Sequence, residues 1–183
     1  DAVGIVSGNN VTLDADTAII LAASTITGNL EVELSSAGTI TDSGVITVGG
    51  TTSLDAGGVG DTVSDITLDD SHTFTGDVTI LQGGNVTIND NGSALGLGTP
   101  VTISTVGGDL TLTSGGAFEF DQTITLDTGE NLDLIVTSGV VTQSAALTIL
   151  GTTTISNTGR DVTVSDSSNS FTGAVSISGG AID

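Results

Sequence analysis

Phe74-Thr-Gly-Asp-Val-Thr-Ile80 returns as Phe171-Thr-Gly-Ala-Val-Ser-Ile177, identical at five of seven positions. Each copy ends on two aliphatic residues around a Thr or Ser, Val78-Thr79-Ile80 and Val175-Ser176-Ile177. A period of two sets both aliphatics on one face of a strand and the hydroxyl residue on the other. The triplet runs through the chain, as in Val11-Thr12-Leu13, Ile46-Thr47-Val48, Ile66-Thr67-Leu68, Val86-Thr87-Ile88, Leu110-Thr111-Leu112, Leu147-Thr148-Ile149 and Val162-Thr163-Val164. Clusters such as Gly83-Gly84-Asn85 and Gly107-Gly108-Asp109 supply tight corners between strands. No useful helical stripe competes, so the chain reads as all-β.

Longer repeats set the architecture. Val3, Val78 and Val175 take corresponding positions, at spacings of 75 and 97. Ser43-Gly-Val-Ile-Thr-Val-Gly-Gly-Thr-Thr-Ser-Leu54 aligns with Ser144-Ala-Ala-Leu-Thr-Ile-Leu-Gly-Thr-Thr-Thr-Ile155 at an offset of 101, and Asn10-Val-Thr-Leu13 with Asn85-Val-Thr-Ile88 at 75. The second copy is thus longer by about 25 residues, a length that suits one added turn of a solenoid, where each coil touches only its neighbours. The expectation is one continuous β-solenoid over 1–183, with repeats at 3–77 and 78–174 and a third beginning at 175. Three strands per coil give about 7–8 coils of roughly 24 residues; about 19 residues per coil also divides the spacings. Val3, Val78 and Val175 should then share one side of the rod.

Composition narrows the function classes. The 183 residues carry 22 Asp and Glu, and Arg160 is the single basic residue, for a net charge of −21. Nucleic-acid binding and anionic membrane surfaces are excluded, because both need Lys and Arg in number. There is no Cys, hence no disulfide or thiolate metal site. Aliphatic residues are abundant enough for a core, which argues against disorder. At 2% aromatic residues the chain lacks the girdles of an outer-membrane barrel. The longest apolar stretch, Ala18 to Ala23, is far short of a membrane-spanning helix. Asp1 opens directly on repeat sequence, without the pattern of a signal peptide.

The string F-T-G-x-V-[ST]-I followed by Gly-Gly, then N-V-T-[IL]-x-D, then S-G-x-[IL]-T-[VI]-x-G-T-T, resembles the long exoproteins of the filamentous-haemagglutinin type, exported by two-partner secretion in Gram-negative bacteria. The resemblance extends from Val3 to Ile182. It implies a right-handed parallel β-helix acting as a stalk at the bacterial cell surface. In that family the secretion domain and receptor-binding regions lie elsewhere in the chain.

Few residues suggest chemistry. His72, the sole histidine, lacks partners for a hydrolytic triad or a histidine metal site and reads as a turn residue before Phe74. A solenoid enzyme acting on acidic polysaccharide would need several basic residues, and Arg160 stands alone. The other carboxylates look scattered over solvated corners, with no glycosidase dyad marked. No catalytic residue is therefore assigned, and the chain is expected not to be an enzyme. Calcium is the one cofactor candidate, at Asp61, Asp65, Asp69 and Asp70. Gly57-Gly-Val-Gly-Asp61 approaches a calcium-binding nonapeptide, but that pattern wants Asp one place later and in tandem copies. Nonspecific Ca²⁺ or Mg²⁺ screening of the net charge is favoured over a specific site. Thr-x-Thr pairs at Thr25/Thr27, Thr39/Thr41, Thr73/Thr75, Thr111/Thr113 and Thr123/Thr125 are spaced too unevenly for one ice-binding element per coil. The sequons at Asn10, Asn85 and Asn91 reflect composition rather than glycosylation.

The expected function is structural, a stalk or fibre section of a secreted or cell-surface bacterial adhesin. A self-assembling matrix or sheath filament and a calcium- or glycan-binding module are the alternatives. Expected partners are neighbouring coils of a longer chain or end-to-end copies, and a host or cell-surface glycan or protein. Because both ends fall inside a repeat, open strand edges should invite such pairing.

Overall fold

The computed structural model describes residues 2–57, 64–98 and 108–183 in full, and the backbone of 99–103. Among these residues every regular element is a β-strand, and every strand pairing is parallel. A five-stranded sheet stacks β1 (Val11–Ala15), β4 (Leu30–Leu34), β7 (Thr52–Asp55), β10 (Val78–Gly83) and β12 (Leu97–Ile103). An eight-stranded sheet stacks β2 (Ile19–Leu21), β5 (Ile40–Asp42), β8 (Ile66–Leu68), β11 (Val86–Asp90), β13 (Leu110–Ser114), β16 (Leu132–Val136), β19 (Thr153–Asn157) and β21 (Val175–Ser178). Three shorter sheets complete the coils. They contain β3 (Ser24–Ile26), β6 (Ile46–Val48) and β9 (Thr73–Phe74); β14 (Phe118–Phe120) and β17 (Val141–Gln143); and β15 (Ile124–Leu126), β18 (Leu147–Ile149) and β20 (Ser170–Phe171). The chain is a β-solenoid of about seven turns.

The two-residue period explains the core. In the eight-stranded sheet Ile19, Ile40, Ile66, Val86, Leu110 and Leu132 pair coil to coil and are all buried. Two residues along, Leu68, Ile88, Leu112, Leu134 and Ile155 form a second buried column. Each such side chain contributes about 1.5–3 kcal/mol by leaving water. Between the columns the outward position holds Thr41, Thr67, Thr87 and Thr111, in register on successive strands. Threonine suits this half-buried outward pleat because it is both β-branched and polar.

The coil has no fixed length. Paired residues are separated by 19 positions from Val11 to Leu30, 22 from Leu30 to Thr52 and 26 from Thr52 to Val78. Both lengths expected from the spacings therefore occur near or within one range. The corners absorb most of the difference, and β10 takes up some of it through register shifts against β7 and β12. Some corners pack backbone on backbone: a Cβ at Gly38 would overlap the carbonyl oxygen of Thr17 in the coil below.

The three equivalent valines do not share a side. Val78 lies in β10 of the five-stranded sheet, Val175 in β21 of the eight-stranded sheet, and Val3 bridges Leu21 on the eight-stranded side. Thr52 and Thr153, also equivalent in sequence, are divided in the same way between β7 and β19. The repeated motif encodes a strand, a corner and the next strand. It works at either corner, and an offset of 97 or 101 residues advances the chain by whole coils plus one face.

Candidate functional site

One corner carries a continuous column of polar side chains, each placed just before a strand of the eight-stranded sheet. Asp65 Oδ1 accepts hydrogen bonds from the N–H and Nδ2 of Asn85. Asn85 Oδ1 accepts from the Asp109 N–H at 3.0 Å, and Asp109 Oδ1 from the N–H and Nδ2 of Asn131. Asn131 Oδ1 then accepts from the N–H and Oγ1 of Thr152. Asn10 and Asn29 do the same before the five-stranded sheet, toward the N–H groups of Asn29 and Thr51. These oxygens satisfy backbone donors that the strand ladders leave free at the bend.

A second corner holds ionisable groups inside the rod. Asp42 pairs with Leu21 and so occupies an inward position filled by Leu or Ile in the strands above it. Its side chain is only 2% exposed. Oδ1 accepts from the Asp69 N–H at 3.0 Å and Oδ2 from the Asp70 N–H at 3.4 Å. His72 is fully buried, with its ring 5.5 Å from that of Phe74. Nδ1 accepts from the Ile46 N–H at 3.0 Å, while Nε2 faces Asp42 Oδ2 at 3.6 Å. Accepting at Nδ1 leaves the proton of the neutral ring on Nε2. Burial lowers the His72 pKa from its ordinary value of 6.5, against the attraction of Asp42, Asp70 and Asp69. Burial raises the Asp42 carboxyl above 3.8, against the Asp69 amide and His72. One coil higher, buried Asp90 accepts from the Phe74 N–H and from Ser93 Oγ. Its pKa is also raised by burial.

His72 lies between the bend at Asp70 and strand β9, as a packed and bonded core residue rather than a turn residue. The expectation that carboxylates line solvated corners fails at Asp42, Asp90 and Glu130, which are buried. Local sequence conceals this at Asp42, whose partners Asp69 and Asp70 come from the next coil, whereas Asp90 and Glu130 also bond within their own turns, to Ser93 Oγ and the Asp127 N–H. Of the calcium candidates, Asp65 serves the corner column. Asp69 and Asp70 donate their backbone N–H groups to Asp42. Asp61 lies outside the described residues. Among the described residues no three His, Cys, Asp or Glu side chains gather to hold a metal ion. Among the sequons, the side-chain oxygens of Asn10 and Asn85 are engaged in corner columns and that of Asn91 accepts from Thr137 Oγ1. Arg160 occupies an exposed turn beside Gly159. An open groove of about 310 Å³ is lined by Leu95, Phe118, Glu119, Asp121 and Thr142 among others.

Stacked parallel coils, aliphatic columns and bonded corners define a β-solenoid repeat protein. A family of repeats of unknown function (DUF5649) matches residues 8–81 and 118–178. The chain belongs to that family. The stretch between the matches contains β11, β12 and β13. No curated protein and no solved structure matches the chain.

Proposed function

We propose that the chain is a structural stalk or fibre section of a secreted or cell-surface bacterial adhesin, and that it performs no catalysis. The observation that carries this reading is the eight-stranded parallel sheet, which continues through about seven turns. At ~4.8 Å per coil the stack is roughly 34 Å long. Hydrogen bonds between coils lie along the rod axis, so tension along that axis loads the ladders directly. The acidic exterior favours solubility and opposes lateral clumping between rods. The resemblance to filamentous-haemagglutinin-type repeats points the same way. The partners of each coil within this segment are its neighbouring coils.

Single-molecule pulling between the termini, combined with a glycan and calcium binding panel, tests the proposal. A spacer should lose its coils stepwise, with roughly 70–90 Å of contour released per coil, and should bind no member of the panel. A saturable glycan signal, or a stoichiometric heat with Ca²⁺, would replace the spacer with a ligand-binding module.

A further inference from the structure

The two sequence copies build the same kind of corner at two different faces of the rod, with different chemistry. In the first, the Ile46 N–H donates to His72 Nδ1 and the Asp69 N–H to Asp42 Oδ1. In the second, the Leu147 N–H donates to Asn169 Oδ1 at 2.8 Å and the Asp166 N–H to Gln143 Oε1 at 3.1 Å. Asp42 and Ile46 are 101 residues from Gln143 and Leu147, while Asp69 and His72 are 97 from Asp166 and Asn169, the offsets at which the copies align. The second corner is closed by a reciprocal pair of hydrogen bonds: Gln143 Nε2 donates to Asn169 Oδ1 at 2.6 Å and Asn169 Nδ2 donates to Gln143 Oε1 at 2.9 Å. The first sets His72 Nε2 against Asp42 Oδ2 at 3.6 Å.

We propose that the Asp42–His72 corner is an acid-sensitive latch, which frees residues 69–74 from β5 and β6 when His72 takes up a proton, and that the Gln143–Asn169 corner is its pH-insensitive counterpart. An imidazolium carries hydrogen on both ring nitrogens, so a protonated His72 would point a donor at the Ile46 N–H. The docked ring must then leave its place. Asp42 from β5, Asp69 and Asp70 from its own turn, and Asp90 from β11 are the ionisable groups around it. The packed strands β6 and β9 bring none. Nearby carboxylates attract the proton, but burial opposes it more strongly. A released ring titrates near 6.5, above the docked ring, so docking is fully favoured above that pH and weakens as pH falls toward the docked value. Asp42 acts with the opposite sign. Its raised pKa restores docking as pH falls further through the carboxylate range toward 3.8. The two groups therefore act in opposite senses as pH falls, His72 loosening the corner and Asp42 tightening it.

As the only histidine, His72 gives a single imidazole signal in NMR. Amide exchange at Ile46 and Leu147 reads both corners in one sample, after correction for intrinsic exchange. Between pH 7 and 5 the opening constant at Ile46 should rise by up to about tenfold per pH unit, while that at Leu147 stays flat. The double variant Asp42→Gln/His72→Asn, built from residues the other corner already uses, should keep the β circular-dichroism signal and remove the dependence at Ile46. Equal pH dependence at the two amides overturns the latch, as does a docked ring that titrates at or above 6.5 in the unmodified protein. Persistence of the Ile46 dependence in the folded double variant would overturn it as well.

Discussion

Asp65, Asn85, Asp109, Asn131 and Thr152 show how one atom type can organise a bend. Acids and amides alternate, so each carboxylate meets an amide in the adjoining coil. Asn131→Asp would oppose a second carboxylate to Asp109 and remove the Nδ2 donor that Asp109 accepts. Urea melts at neutral pH should show a loss of about 1–3 kcal/mol, relieved at pH values low enough to protonate the new pair. Asp90→Asn tests the opposite situation, a carboxylate that burial disfavours. The unmodified side chain should add stability as pH falls through its raised pKa toward 3.8. The variant should lose that increment in melts across the same range; an unchanged pH profile would contradict the burial assignment. Asparagine before a strand is visible in Asn10-Val-Thr-Leu13 and Asn85-Val-Thr-Ile88. The direction of Asp42 is not, because Ile40-Thr41-Asp42 looks like a strand running out into a solvated bend. Its partners lie 27 and 28 residues onward at Asp69 and Asp70, a distance that varying coil length hides.

Strands are legible because most inward steps are aliphatic, with Asp42, Thr52, Asp90 and Ser114 among the exceptions, whereas their pairing is not. Val162-Thr163-Val164 reads as a strand, yet Val162 forms only isolated bridges to Val141 and Ile182. The threonine column at 41, 67, 87 and 111 was equally hidden, since unequal corners destroy its regular spacing in sequence. Arg160 gives the terminal elements a simple assay. Trypsin should cut once after Arg160, leaving pieces of 160 and 23 residues. Pairing of Thr153–Ser156 with Val175–Ser178 spans the cut. The pieces should therefore elute together in native size exclusion and separate in denaturant. Native separation would mean that this pairing does not hold the last coil in place.

At the level of the whole rod, a net charge of −21 makes self-repulsion a standing load on the fold. Added NaCl should raise the melting temperature, most steeply below ~0.15 M, as the screening length shortens to about 8 Å. Mg²⁺ and Ca²⁺ should act alike at matched ionic strength; a saturating excess for Ca²⁺ alone would reveal specific coordination. The winding could be inferred from a repeat lengthened without loss of its pattern, but the angular position of each copy could not. The same local phrase serves at Val78 and Val175 on different sheets. A duplication out of phase with the turn can thus still set its valines on a strand of the stack, Val78 in one sheet and Val175 in another, so that a solenoid can lengthen by fractions of a pitch.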